Sequence, residues 1–420
     1  MYNTEEETER VVLIGIDYDN NGYDAESCLD ELEELAKTAG AVCVGRMIQK
    51  REGIHKAHYF GKGKIEELKN YIEAVNATGI ICDDELTANQ MKNMEKLLET
   101  KIMNRTLLIL DIFASRANSA EGKVQVELAQ LKYNLSHLVG QGRDLSRLGG
   151  GIGTRGPGEK KLETDRRNIA DRITELNREL KDIEKHRQVL REKRIKNKIP
   201  VIALAGYTNA GKSTLMNTLT DAGVLAEDKL FATLDTTTRK VKLPSGAEYL
   251  FTDTVGFIQK LPHHLIKAFR ATLEEVKYAD IILHIVDSSN PAREQHIKVV
   301  YETLKELGCD EKPVITVFNK IDKEETDFPL PKDLHALKTQ AISAKKETGI
   351  DELLEKIETV IKSFKKSITV LVPYEKGAFV NFIHGNCEIV KSESTENGFY
   401  FEIYADNEAY NRLKDFIIEE

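Results

Sequence analysis

The segment Gly206-Tyr207-Thr208-Asn209-Ala210-Gly211-Lys212-Ser213 constrains this chain more than any other. The run Ile199 to Ala205 before it is short, apolar and rich in β-branched residues, so it reads as a buried strand, and a helix is expected to begin at Lys212. A glycine loop between such a strand and such a helix turns backbone N–H groups inward toward a β-phosphate. Lys212 would then reach the β and γ oxygens, and the Ser213 hydroxyl would ligate Mg²⁺. Such a loop belongs to a doubly wound sheet with its phosphate crevice at the carboxyl ends of the strands.

Three further motifs follow in order, and the combination is far more specific than any one of them. Asp253-Thr254-Val255-Gly256 comes after the apolar run Tyr249 to Thr252, where Asp253 would hold Mg²⁺ through water and Gly256 would offer its N–H to a γ-phosphate. Asn319-Lys320-Ile321-Asp322 follows the apolar run Val314 to Phe318. The Asp322 carboxylate can accept from guanine N1–H and the exocyclic amine, a pair adenine cannot offer. Loss of charge-assisted bonds costs roughly 1.5–3 kcal/mol each, enough to reject ATP. Ser343-Ala344-Lys345 would bring a backbone N–H to guanine O6. GTP is therefore the expected substrate, with Mg²⁺ as cofactor. A second Mg²⁺ hydroxyl is expected from Phe231-Ala232-Thr233-Leu234-Asp235 and the threonines after it; Thr233 is preferred, with Thr236, Thr237 and Thr238 open. No catalytic residue is assigned, because Phe257 stands where related hydrolases carry a water-orienting glutamine, and a phenyl ring cannot orient water. Slow intrinsic turnover follows as an expectation. His263 and His264 lie nearby without a claim to a role.

At 420 residues the chain is long enough for several cores. Four units are expected: an N-terminal parallel α/β domain over 1–118, a helical hairpin over 119–199, the nucleotide domain over 200–365 and a small α+β domain over 366–420. No apolar run approaches the ~18 residues of a membrane span, so a cytoplasmic chain is expected. Its five cysteines, Cys28, Cys43, Cys82, Cys309 and Cys387, are odd in number and far apart, which fits reduced thiols. In the first unit, strands are expected at Val11 to Ile16, Ala41 to Met47, Gly79 to Cys82 and Thr106 to Leu110, alternating with helices.

The net charge is −9, but the sign is segregated: Gln141 to Pro200 holds 17 Lys and Arg against 10 Asp and Glu, leaving +7 there and −16 elsewhere. Val124, Leu128, Leu131, Leu135 and Leu138 form the narrow seam of a helix that pairs with another, and Ile169, Ile173, Leu176, Leu180 and Ile183 form its answer from about Glu163 onward. Between them, Gly140 to Gly158 carries eight glycines with Arg143, Arg147 and Arg155, followed by Lys160 and Lys161. With few apolar side chains it cannot offset the entropy of ordering itself alone. Ordering on RNA fits it: glycine permits close backbone approach and arginine suits phosphates and base faces. A flexible linker is the plainer alternative. In the tail, strands are expected at Ile368 to Pro373, Cys387 to Lys391 and Gly398 to Tyr404, with a closing helix Asn407 to Ile418.

The full set resembles the HflX family of ribosome-associated GTPases, and the likeness extends to Phe60-Gly-Lys-Gly-Lys-Ile-Glu-Glu-Leu68 and to Gly149-Gly-Gly-Ile-Gly-Thr-Arg-Gly-Pro-Gly-Glu-Lys-Lys-Leu-Glu-Thr-Asp-Arg-Arg167. The resemblance implies binding to the large ribosomal subunit and its rRNA, GTP-dependent splitting of stalled or idle ribosomes, and hydrolysis stimulated by the ribosome. It also implies that Phe231 to Asp235 contacts nucleotide with Thr233 on Mg²⁺. Thr236 stands where the family often has proline, which loosens that loop. A monomer is expected. The competing classes are an RNA-binding anti-association factor with nucleotide as a structural ligand, and a GTPase acting on a protease or membrane partner. Gly61-Lys62-Gly63-Lys64 reads as a helix-opening turn rather than a second nucleotide site, since the phosphate-loop spacing is missing.

Overall fold

The structure, a computed structural model, describes residues 8–18, 24–145, 157–196, 199–220, 230–243, 245–260, 275–323 and 333–419; at 139–145, 157–162, 190, 191, 193–196, 407 and 419 it describes the backbone alone. Three sheets carry these residues. The first consists of β1 (Arg10–Asp17), β2 (Val42–Lys50), β3 (Gly79–Cys82) and β4 (Lys101–Asn104), parallel in the order β2-β1-β3-β4. The central strands β1 and β3 read as unbroken apolar runs because helices cover both faces. Those helices are α1 (Ala25–Thr38), α2 (Lys62–Val75), α3 (Ala88–Leu98) and α4 (Arg105–Arg116).

The strand expected at Thr106 to Leu110 is not there; those residues lie in α4. Asn104 ends β4 and its side chain caps the helix by accepting from the Leu107 N–H at 2.9 Å. The run is apolar because Leu108, Ile109, Leu110, Ile112 and Phe113 are all buried, and a short apolar run does not by itself tell strand from buried helix.

The second sheet has the order β10-β9-β8-β5-β7-β6. Its strands are β5 (Val201–Gly206), β6 (Thr237–Lys242), β7 (Glu248–Asp253), β8 (Ile281–Asp287), β9 (Val314–Asn319) and β10 (Lys338–Ala341). All pairs are parallel except β6 with β7. The register sets Leu204 beside Asp253 and Asp287 beside Asn319, so the expected nucleotide motifs emerge together at the carboxyl edge. The helix α7 (Lys212–Thr220) starts there.

Between the two sheets run α5 (Ala120–Leu145) and α6 (Pro157–Lys196), an antiparallel pair joined by Arg172 to Glu127 and Arg187 to Glu121, each at 2.7 Å. Both helices reach further into the glycine-rich stretch than the expected Gly140 to Gly158 loop allows, and 146–156 lies outside the described residues. The third sheet is antiparallel, β12-β13-β11-β14, from β11 (Lys366–Val372), β12 (Glu388–Thr395), β13 (Gly398–Ala405) and β14 (Ile417–Glu419). A helix Gly377–Asn386 was not expected, and the closing helix stops at Leu413 so that β14 can pair with β11.

One apolar core crosses the boundary between the first two sheets. Leu108, Ile109, Phe113, Val126 and Ala129 belong to the same cluster as Tyr207, Phe231, Leu234, Val255 and Phe257. All five cysteines are free thiols.

Candidate nucleotide site

At the carboxyl end of β5 the chain turns through Asn209 at φ 59° and Gly211 at φ 94°, left-handed conformations that direct successive N–H groups to one side of the loop. Lys212 is buried and its Nζ donates to the carbonyls of Gly206 at 3.1 Å and Tyr207 at 2.8 Å. Burial lowers its ammonium to about 8. A phosphate arriving here would meet a cation held back over the loop.

Ser213 and Thr233 place their hydroxyl oxygens 2.7 Å apart, and the Ser213 hydroxyl donates to Asp253 Oδ2 at 2.8 Å. Asp253 is fully buried, burial raises its carboxyl above the usual range, and its Oδ1 has no hydrogen-bond partner among the described residues. A buried unpaired carboxylate oxygen is costly. Three oxygens and that orphan converge at one corner, a donor set suited to a hard divalent cation. Of the threonines considered for this corner, Thr233 lies in it; Thr237 and Thr238 are in β6, where Thr238 bonds Thr252 at 3.0 Å. Thr236 has no described contact to the corner.

Gly256 faces the loop so closely that a Cβ would lie 2.8 Å from the Thr208 Cα and 3.0 Å from Lys212 Nζ, hence a glycine. Thr254 instead ties back to the Leu204 carbonyl at 2.7 Å, and Val255 is in the shared core. On the base side, Asn319 donates to the Ala210 carbonyl at 2.9 Å and accepts from the Ala344 N–H at 3.0 Å, stapling the phosphate loop to Ser343-Ala344-Lys345. Asp322 accepts from the Ser343 hydroxyl at 2.6 Å, a bond that holds its carboxyl below the ordinary value. Lys320 pairs with Asp287 at 2.8 Å, Ile321 opens a short 3₁₀ turn, and Lys345 is exposed. The segments expected to read base and phosphate are thus one hydrogen-bonded unit.

Not every expected contact faces the cleft. Phe231 stands edge-on to Phe113 with ring centroids 4.7 Å apart, and Leu234 is buried in the shared core. Asp235 is turned to the start of α5. Ala232 and Thr233 lie on the cleft side, and Phe231 borders the cleft as well. Phe257 is fully buried, its N–H and C=O bonded to Gly206 and Thr208 while its ring joins the shared core. Gln259, two residues on, is also buried; its N–H donates to the Tyr207 hydroxyl at 2.8 Å.

Sequence reading missed the polar chain behind the loop. The Tyr207 hydroxyl bonds Glu31, Glu31 pairs with Arg105, Arg105 pairs with Asp83 at 2.7 Å, and Asp83 pairs with Lys260. Arg105 is 2% exposed, so this network ties the phosphate loop and the segment after Gly256 to the first sheet from inside. The only signals were an acidic Asp83-Asp84-Glu85 after a strand and an arginine opening an apolar run.

Of the expected RNA contacts, Arg143 is on the last turn of α5 and Lys160 and Lys161 are on the first turn of α6, by backbone only; Arg147 and Arg155 lie outside the described residues, as do His263 and His264. No helix among the described residues is long and apolar enough to cross a membrane.

Three family models match: a GTP-binding GTPase N-terminal region over 26–114, a GTP-binding GTPase middle region over 116–194 and a 50S ribosome-binding GTPase over 201–320. A GTPase HflX from Lacrimispora saccharolytica is 55% identical over 407 residues, 97% of this chain and 96% of the relative. Another GTPase HflX, from Caldanaerobacter subterraneus subsp. tengcongensis, is 51% identical, covering 98% and 94%. A solved GTP-binding protein of the archaeon Sulfolobus solfataricus in complex with GDP is 24% identical with TM-score 0.44, covering 85% of this chain and 99% of that one. With a phosphate-loop motif between strand and helix and relatives matched over nearly their whole length, the chain belongs to the HflX family of GTPases.

Proposed function

We propose that this GTPase is Mg²⁺-dependent, docks on the large ribosomal subunit through rRNA contacts at the tip of α5 and α6, and uses GTP binding to split or rescue stalled or idle ribosomes. Ribosome contact then stimulates hydrolysis. The observation that carries this reading is the corner of Ser213, Thr233 and Asp253 with its orphaned buried oxygen. Those side chains would hold Mg²⁺, whose charge would offset that of the β and γ oxygens when bound. Lys212 adds a second cation and Gly256 a backbone donor on the γ side, so this chain's own groups favour a triphosphate.

A water-orienting side chain is not supplied by Phe257, whose ring is buried away from the cleft. We therefore assign the stimulus to the ribosome, a reading supported by the match of 201–320 to a 50S ribosome-binding GTPase family. The surplus of +7 over Gln141 to Pro200 supports the rRNA contact. The chain acts as a cytoplasmic monomer in this proposal.

Gradient profiles of ribosomes with GTP, GDP and a non-hydrolysable analogue test it. Subunit peaks should grow at the expense of whole ribosomes with GTP and with the analogue and stay unchanged with GDP; identical profiles in all three reject it. Combined Arg143→Ala, Arg147→Ala and Arg155→Ala should weaken cosedimentation while leaving nucleotide affinity as it was. If the tip neutralises 6 to 10 phosphates, ribosome affinity should fall by roughly 10³ to 10⁵ between 50 and 200 mM salt.

A further inference from the structure

The helix α5 begins with an unfinished cap. Ser119 is its N-cap residue: the Ser119 carbonyl accepts the first helical bond from Lys123 at 3.1 Å, and its Oγ accepts from the Gly122 N–H at 2.9 Å. In a capping box the residue three places into the helix is Glu or Gln, and its side chain returns to the N-cap N–H. Here that position is Gly122, which has no side chain. The missing acceptor comes from 116 residues away: Asp235 Oδ2 accepts from the Ser119 N–H at 2.8 Å and the Asn118 N–H at 3.1 Å, while Oδ1 accepts from the Ser119 hydroxyl.

Gly122 is the imprint of this contact. A Cβ built there would lie 2.5 Å from Asp235 Oδ1, closer than a Cβ contact allows, and a tight 3.1 Å from Ser119 Oγ. Alanine is the better helix former, so propensity gives no reason for glycine inside α5. The carboxylate also sits where the helix presents unsatisfied N–H groups and a positive dipole end.

Asp235 stands two residues after Thr233, and two residues span only ~7 Å fully extended. Whatever fixes Asp235 on α5 therefore confines Thr233, whose hydroxyl lies 2.7 Å from Ser213. Phe231, on the other side, is fixed against Phe113 of α4. The short segment is pinned at both ends to the N-terminal half of the molecule, with the hydroxyl at the cation corner in between.

We propose that Asp235 is a positioning residue which completes the capping box of α5 in trans, and that this latch holds Thr233 at the Ser213–Asp253 corner and so links a bound triphosphate to the helix carrying the tip. The inference rests on the guanine-nucleotide reading of the site and adds the route by which occupancy reaches the hairpin. By linkage, a latch favoured by triphosphate must favour triphosphate by the same factor. A diphosphate has no γ-phosphate to engage this side of the cleft, so the latch should matter little to it.

The test uses the full chain in Mg²⁺ and measures affinities for fluorescent GDP and for a fluorescent non-hydrolysable GTP analogue. Gly122→Ala and Asp235→Ala should each weaken the analogue by roughly tenfold and leave GDP within about twofold, the size expected for loss of a helix cap. Asp235→Asn, which keeps an acceptor oxygen, should lose less than Asp235→Ala. Equal losses for both nucleotides would make Asp235 merely structural and overturn the latch, as would unchanged affinities. Hydrogen exchange on the unaltered chain guards against misfolded variants: the Asn118 and Ser119 amides should exchange more slowly with the analogue than with GDP, and equal rates overturn the proposal. A wild-type chain that binds neither nucleotide removes the guanine-site reading, and the latch with it. Normal binding with indifferent variants removes the latch alone.

Discussion

The first sheet and the last treat the nucleotide-binding sheet in opposite ways. On the N-terminal side, Phe113, Leu108 and Val126 share one apolar cluster with Phe231, Val255 and Phe257, and the charge network from Glu31 to Lys260 crosses the same boundary. On the C-terminal side, Val370, Ile383, Phe401 and Leu413 form a cluster whose members all lie between Ile368 and Ile417. Among the described residues, the ion pairs from there toward the centre are those of Lys362 and Lys365 with Glu388, partly exposed and of a kind worth ~0–1 kcal/mol. The lesson concerns placement. The residues around the candidate phosphate site are themselves the interface to the N-terminal unit, so a nucleotide bound there would be felt at that interface, while the tail has no comparable route among the described residues.

The sharpest way to break this contrast is a matched pair of core truncations. Phe113→Ala should cost ~3–5 kcal/mol in an unfolding step shared by the first two sheets, and guanine-nucleotide affinity should fall with it. Phe401→Ala should cost a similar ~3–5 kcal/mol in a separate step of the tail, with nucleotide affinity kept. Denaturant melts read by probes in each region would decide. A single transition hit equally by both changes means the two boundaries are alike.

Next in size is the effect of ligand. GDP at about 100 times its dissociation constant should stabilise the shared step by ~2.7 kcal/mol and leave the tail step where it was. Calorimetry with and without GDP checks this, and a tail that shifts equally would show a coupling the contacts do not predict.

The smallest effect is one of pH. Burial holds the His296 imidazole, stacked on the Tyr207 ring at 3.7 Å, down to about 4 from an ordinary 6.5. Below pH 6.5 the unfolded chain takes up a proton that the folded chain refuses, so stability falls as pH drops from 6.5 toward 4. With the ring partly exposed, this amounts to about 1–2 kcal/mol at pH 5. His296→Phe keeps the stack and should remove that part of the slope from the shared step only. A slope unchanged by the substitution assigns the acid sensitivity to other groups.

The nucleotide site was legible because its parts are local: Gly206 to Ser213, Asp253 to Gly256 and Asn319 to Asp322 are short runs, each following an apolar strand. The hairpin was legible because its seam repeats, and Leu176 on that seam is fully buried. The interface was not, since Glu31, Asp83, Arg105, Tyr207 and Lys260 come together only through the packing of two sheets. Asp235 was read as a nucleotide contact for the same reason: its partners Asn118 and Ser119 are far away in sequence. The helix Gly377–Asn386 escaped because it opens with glycine and carries Phe379 and Phe382 without a clean polar face, and α4 because β4 before it is only four residues long.

The burial of Phe257 has an evolutionary corollary. Phe257→Gln would install an amide, yet the side chain at that position lies in the core shared by two sheets, where an unpaired amide is penalised. Such a molecule cannot acquire an autonomous timer by that one exchange without loosening its own joint. Under the proposed function the timing of hydrolysis then falls to the docking partner, and that dependence follows from the packing of one ring.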